Sequence, residues 1–291
     1  DVLVGSILCD GVYLNAGGSI IDNGEFGLDI GGTNVQLVAA TAIGEALPGV
    51  NNGLLEVNPG LLAAEAGTGG IYLDGDTASI DIDSVAAIDV ERVSLGGSKT
   101  TENGAALAGA NADTDLFVTA DGDLTVDAAS DARTGNLILR SSATDVAINA
   151  ATTAGGDATI EAGNDVTQGA DGDVTVGGTL NVRAINGSVS MTEDALSTAT
   201  GNIQYLAADD VALAGLNGEA ALPANNGAVD TTVTTLASSA GTGSTYLSET
   251  DDLVIGSVAA IDVQRPDFAG NNPLQPGSPL AGAIAAQNLK V

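Results

Sequence analysis

The chain has 291 residues, 38 Asp and Glu against 7 Lys and Arg, and a net charge of −31, so a nucleic-acid partner and an anionic membrane surface are excluded. It has no His, which removes the commonest general base and zinc ligand, and a single cysteine, Cys9, which leaves no internal disulfide. Forty Gly against four Tyr, three Phe and no Trp argue against an ordinary globular core and for a narrow interior of small and branched side chains.

Residues 1–43 read as strands and turns: Val2-Leu3-Val4, Val12-Tyr13-Leu14, Ser19-Ile20-Ile21 and Val35-Gln36-Leu37-Val38, punctuated by Gly17, Gly18, Gly31 and Gly32. Cys9, among them, reads as a small buried hydrophobe. Pro48, Asn51-Asn52-Gly53 and Pro59 break the rhythm, predicting a loop over 44–60. The Gly-, Thr- and Ala-rich stretch 94–115 predicts a second loop.

From Leu116 to Gly215 a two-stroke pattern takes over. Its first stroke follows a glycine and alternates apolar with polar residues, as in Gly135-Asn136-Leu137-Ile138-Leu139, Gly156-Asp157-Ala158-Thr159-Ile160, Gly178-Thr179-Leu180-Asn181-Val182 and Gly201-Asn202-Ile203-Gln204-Tyr205. The second follows a polar turn: Leu124-Thr125-Val126, Val146-Ala147-Ile148, Val166-Thr167-Gln168, Val189-Ser190-Met191, Val211-Ala212-Leu213. From Leu124 to Val211 the numbering advances by 87 (211 − 124) in four steps, a mean of 21.75. Period-two alternation means a strand with one buried face, and its return at fixed spacing means that the chain coils upon itself. The prediction is an all-β parallel β-helix, a β-solenoid with ~22-residue coils. Leu137, Ala158, Leu180 and Ile203 should stack in its interior, with Tyr205 in the core. The pattern leaves open whether Val174-Thr175-Val176 marks a third strand per coil or a loop. The residue before each second stroke is Asp123, Asp145, Asp165, Ser188 or Asp210, one column of turn residues along the outside.

A longer repeat crosses this pattern. Gly44-Glu45-Ala46 returns as Gly218-Glu219-Ala220, Tyr72-Leu73 as Tyr246-Leu247, and Ser84-Val85-Ala86-Ala87-Ile88-Asp89-Val90 returns unchanged from Ser257 to Val263. The offset in numbering is 246 − 72 = 174 at Tyr72 and 257 − 84 = 173 at Ser84. Eight steps of 21.75 make 174, so the segments 44–93 and 218–266 read as copies separated by a whole number of coils. The solenoid is assigned to 1–265. Pro266, Pro273, Pro276 and Pro279 make 266–291 a terminal segment where the coil pauses or ends, closed by a short helix or strand from Ala281. Asp1 is no initiator methionine and the strand pattern is running by residue 10, so the chain reads as an excerpt or a processed protomer.

The repeats Ala16-Gly17-Gly18-Ser19-Ile20-Ile21-Asp22, Thr134-Gly135-Asn136-Leu137, Gly155-Gly156-Asp157-Ala158-Thr159-Ile160, Asn186-Gly187-Ser188-Val189 and Thr200-Gly201-Asn202-Ile203 resemble those of filamentous-haemagglutinin-like exoproteins and related giant β-strand-repeat bacterial surface proteins. The resemblance implies a right-handed parallel β-helix exported to the surface as an adhesin, stalk or fibre.

Asp-Gly-Asp at 121–123 and 171–173 makes Asp121, Asp123, Asp171 and Asp173 candidate calcium ligands, with turn chemistry as the competing reading. Asp165, Asp171 and Asp173 fall near Arg183 in sequence, the set a polysaccharide-degrading β-helix enzyme would use. No other cofactor is indicated, and neither a P-loop nor a nucleophile elbow is present. The expectation is therefore a non-enzymatic, extracellular or cell-surface structural protein, adhesin or filament-forming module. Its partners would be further copies joined head to tail, a continuation of a longer chain, or a surface glycan or host receptor, without membrane insertion. The alternatives are the polysaccharide enzyme and a calcium-stabilised surface-layer or matrix protein.

Overall fold

A computed structural model describes all residues except 25–26, 46–52, 76–77, 103, 193, 214–228, 250–253, 261–262, 265–273, 276–277 and 291. Among the described residues every regular element is a strand, and most belong to one large sheet with parallel pairing.

Three strands are laid down per return of the chain. Leu116–Ala120, Leu124–Val126 and Ser130–Ala132 carry Leu137–Ser141, Val146–Ile148 and Thr152–Ala154 in parallel register. On these lie Ala158–Ala162, Val166–Gln168 and Val174–Val176, followed by Leu180–Ala184, Val189–Met191 and the start of Ser197–Ala207. The segment at 174–176 is thus a strand. Each strand rests on the one three places earlier, so a first, second and third wall enclose one core, consistent with a β-solenoid.

Leu137, Ala158, Leu180 and Ile203 are consecutive partners on the first wall, and all four are buried. Tyr205 lies two residues along, inside the same core. The second and third walls use three-residue strands buried at both ends, as at Leu124–Val126 and Ser130–Ala132. Small β-branched and Ala side chains suit this space because each wall must close on two others within a few residues.

Several expectations change. The strand Leu55–Ala66 occupies the end of the loop predicted over 44–60, while 46–52 lie outside the described residues. Pro59 is accommodated at the end of a paired run, Ile30–Gly32/Val57–Pro59, one residue before pairing resumes over Asn34–Ala39/Leu61–Ala66. The stretch predicted as a loop over 94–115 belongs to an arm. Ser84-Val85 pairs antiparallel with Leu107-Ala108 as a neck, and Val90–Val93 pairs antiparallel with Lys99–Glu102 beyond it. The chain then re-enters the parallel sheet at Ala110–Ala112. A second arm repeats this: Ser257-Val258 pairs with Leu280-Ala281, and Val263-Gln264 with Leu274-Gln275. After it Ala283–Ala285 and Leu289–Lys290 rejoin the parallel sheet, so the strand option holds for the terminal segment and the sheet does not stop there. Pro266, Pro273 and Pro276 lie outside the described residues. Cys9 is exposed rather than buried, because it sits in the turn after Ile7-Leu8 with Sγ against the Gly11 carbonyl at 3.2 Å.

The long repeat is not a whole number of coils. Ala66 stands on the third wall, in the column of Ala112, Ala132, Ala154, Val176, Ala199 and Val233. Its equivalent Ala240 (240 − 66 = 174) stands on the first wall, paired with Ala207. The copies are therefore six returns and one wall apart. The step from Ala66 to Ala112 includes the first arm, and the step from Ala199 to Val233 is also long, so the span between the copies holds fewer returns than a uniform spacing predicts.

Candidate functional site

The outer corners explain the acidic composition. Along one corner the Asp123 carboxylate accepts the Asp145 amide (3.3 Å), Asp145 accepts that of Asp165 (2.9 Å), and Asp165 that of Ser188 (2.7 Å). Ser188 Oγ accepts the Asp210 amide (3.3 Å) and Asp210 that of Ser244 (2.7 Å). These are the column residues read from the sequence, extended by Ser79 before and Asn288 after. A second corner repeats the device: Asp115 holds the Asn136 amide, Asn136 that of Asp157, and Asp157 that of Thr179. A corner amide points away from the ladder and needs an acceptor; a short carboxylate or amide one return below supplies it. The glycines before the first strokes follow from this. A side chain on Gly135, Gly156 or Gly178 would collide with Oδ1 of Asp115, Asn136 or Asp157 respectively.

The four predicted calcium ligands are divided between two corners. Asp121 accepts from the Ser142 hydroxyl and Asp123 belongs to the column above, whereas Asp173 accepts the Leu196 amide at 2.9 Å and Asp171 is exposed. The carboxylate group of three among the described residues lies elsewhere, at Asp22, Asp29 and Glu56, with one oxygen of each within 4.8 Å of the others. Two successive returns position it: Asp22 ends Ile20–Asp22 and Asp29 precedes Ile30–Ala39 on one return, and Glu56 lies in Leu55–Ala66 on the next. The Glu56 amide donates to Asp29 Oδ2 at 3.2 Å, and Asp29 is fully buried. Burial, a hydrogen bond with Asp29 and the charges of Asp29 and Asp22 push the Glu56 carboxyl up to about 9. The group is therefore held together by a proton at neutral pH, and its donor set of hard oxygens also suits a divalent cation. Asp22, Asp29 and Glu56 are too far apart in sequence for spacing to have signalled them.

Arg183 meets a different acid from those the sequence suggested. On the first wall Arg140, Glu161 and Arg183 occupy consecutive rungs facing outward. Arg140 Nε lies 3.3 Å from Glu161 Oε1, and Arg183 Nη1 3.4 Å from Oε2. The Glu161 side chain is 1% exposed, and two flanking guanidinium groups balance its charge. Further along this wall Leu54, Tyr72, Phe117 and Ile138 form an apolar cluster, with the Tyr72 and Phe117 rings edge to face at 5.1 Å. Burial and the neighbouring Asp115 charge push the Tyr72 hydroxyl pKa upward.

The sequence reading missed the anchors of the arms. Gln36, fully buried, sets Nε2 within hydrogen-bond distance of the carbonyls of Val85 (2.9 Å), Ala86 (3.1 Å) and Ala105 (3.2 Å) in the first neck, its two N–H groups shared among them. Gln204 donates to the Ser278 carbonyl (3.3 Å), the equivalent of Ala105 (278 − 105 = 173). A signal existed: Asn34-Val35-Gln36-Leu37-Val38-Ala39 returns as Asn202-Ile203-Gln204-Tyr205-Leu206-Ala207, at a constant offset (204 − 36 = 168). Among the described residues no helix is long and apolar enough to cross a membrane. No family model matches the chain, and the searches of curated proteins and solved structures returned no significant match.

Proposed function

We propose that the chain is an extracellular or cell-surface structural module, an adhesin or fibre-forming right-handed β-helix whose coils run near 22 residues, the spacing at which corner bonds recur. The observation that carries this reading is the continuous stacking. Backbone ladders on three walls run alongside side-chain ladders on two corners, so load applied along the stack is shared by parallel rows of hydrogen bonds. The outward Asp, Asn and Thr residues present a repetitive polar surface to a glycan or a host receptor. End-to-end stacking, or a longer chain, satisfies the strand edges of the terminal rungs. Sedimentation and electron microscopy of the purified chain test this: elongated particles or filaments support it, and a compact, capped monomer without self-association overturns it.

The carboxylate group at Asp22, Asp29 and Glu56 favours a second reading, a calcium-stabilised surface-layer or matrix protein. There a chelator lowers the melting temperature by many degrees; an unchanged melt removes that reading.

A further inference from the structure

Where they form the third wall, the strands Gly11–Ala16, Ile30–Ala39 and Leu55–Ala66 carry two outward columns. Asn15, Val38 and Glu65 make one, and each keeps access to solvent. Tyr13, Gln36 and Ala63 make the other, two residues earlier, and there Gln36 and Ala63 are fully buried. The first neck covers them. It leaves the sheet at Asp83, whose amide donates to the Leu62 carbonyl at 3.0 Å, and Val85 just beyond is buried. It meets Gln36, one return back, through the carbonyls of Val85, Ala86 and Ala105. Ile88 reaches one return further: a methyl group on Gly11 would stand 3.7 Å from Ile88 Cγ2. Gly104 lets the two sides of the neck close there, since a side chain on it would collide with the Ile88 carbonyl.

The burial recurs on another wall. Asn181, Gln204 and Ala237 are consecutive partners on the first wall, all three are buried, and Gln204 donates to the Ser278 carbonyl of the second neck. A covered outward column three returns long therefore belongs to the repeated segment and not to one wall.

In a stack whose returns touch only their neighbours, returns open one at a time, and one with a ladder partner on a single side opens first. Among the described strands Gly11–Ala16 pairs only with Ile30–Ala39. A connection that grips three returns changes this. Opening any of them strips neck carbonyls of the Gln36 donor or exposes Val85 or Ile88 to water.

We propose that the first neck is a strap that locks the third-wall strands Gly11–Ala16, Asn34–Ala39 and Leu61–Ala66 into one opening unit, so that these returns do not fray one by one. The strap is the neck itself, independent of anything the ribbon beyond it meets and of how the ends of the stack are satisfied.

Amide hydrogen exchange of the whole chain, followed by mass spectrometry at graded urea concentrations below unfolding, decides the matter. In wild type the three strands exchange at a common rate with a common dependence on urea. Replacing Ala86–Ala105 by a short Gly-Ser linker speeds exchange of Gly11–Ala16 by about tenfold or more and separates it from Leu61–Ala66. Thr152–Ala154, which the neck does not reach, keeps its rate. Ile88→Ala, a milder change, speeds Gly11–Ala16 alone. Wild-type exchange of Gly11–Ala16 that is faster than that of Asn34–Ala39 overturns the proposal, and this outcome needs no variant to fold. A linker variant with wild-type rates overturns it too, as does one in which Thr152–Ala154 accelerates equally.

Discussion

The two arm-bearing segments share a pairing pattern but not a wall. In the first copy, Leu55 pairs with Leu73 and Ala64 with Ala110. In the second, Val229 pairs with Leu247 and Ser238 with Ala283, the same positions displaced by the offset of the long repeat. Gln36 supports the first neck from the third wall, Gln204 the second from the first wall. A segment of this kind carries its own ladder partners and its own anchor. It needs only a three-walled stack beneath it, and any wall serves. The central rungs form a spacer between the copies.

Core substitutions beneath each anchor probe this equivalence most severely. Tyr205 and Leu37 are equivalent (205 − 37 = 168) and both are buried. Tyr205→Ala should cost about 3–5 kcal/mol and Leu37→Ala about 2–5 kcal/mol in urea unfolding, from lost burial and the cavity left in a core with little room to relax. Similar losses would mark the two supporting rungs as equals; a benign Tyr205→Ala would separate them.

Removing an anchor should have a smaller and more local effect. Gln36→Ala leaves three carbonyls of the first neck without their donor and should cost about 1–3 kcal/mol. Limited trypsin digestion should then cut faster at Arg92 and Lys99. Gln204→Ala should leave that cleavage unchanged, because it supports only the second arm.

The spacer can be weakened without touching either copy. Asp165→Ala removes the acceptor for the Ser188 amide and should cost about 1–2 kcal/mol. Asp165→Asn should recover part of that loss, since its carbonyl oxygen can accept the same bond.

The most gradual effect is the pH dependence set at Glu56. Its carboxyl is raised to about 9 in the folded chain, against an ordinary value of 4.5, so the folded state binds more protons between these limits. Its contribution to stability is complete below about 4.5 and is lost as pH rises toward about 9. Melting temperature should fall over that window, and Glu56→Gln should flatten the slope.

The strand pattern was legible because its cause is local. Alternation at Leu137–Ser141 or Val146–Ile148 reflects one face in a core, and the Asp and Ser column marks a turn recurring on every return. The corner glycines were legible as punctuation, but their reason, the carboxylate of the preceding return, was not. The arm was opaque because antiparallel pairing over residues 84–108 leaves no apolar face and hence no period. The carboxylate group at Asp22, Asp29 and Glu56 was opaque because it is brought together across a corner and from two successive returns.

By itself, then, the sequence determined which residues face inward, where the chain turns and that it returns upon itself, since each follows from the polarity of near neighbours. Only the tertiary structure decided which wall each copy occupies, which acid meets Arg183 and where the arms stand. Those depend on the lengths of all intervening returns, and a single long excursion shifts everything after it by a wall.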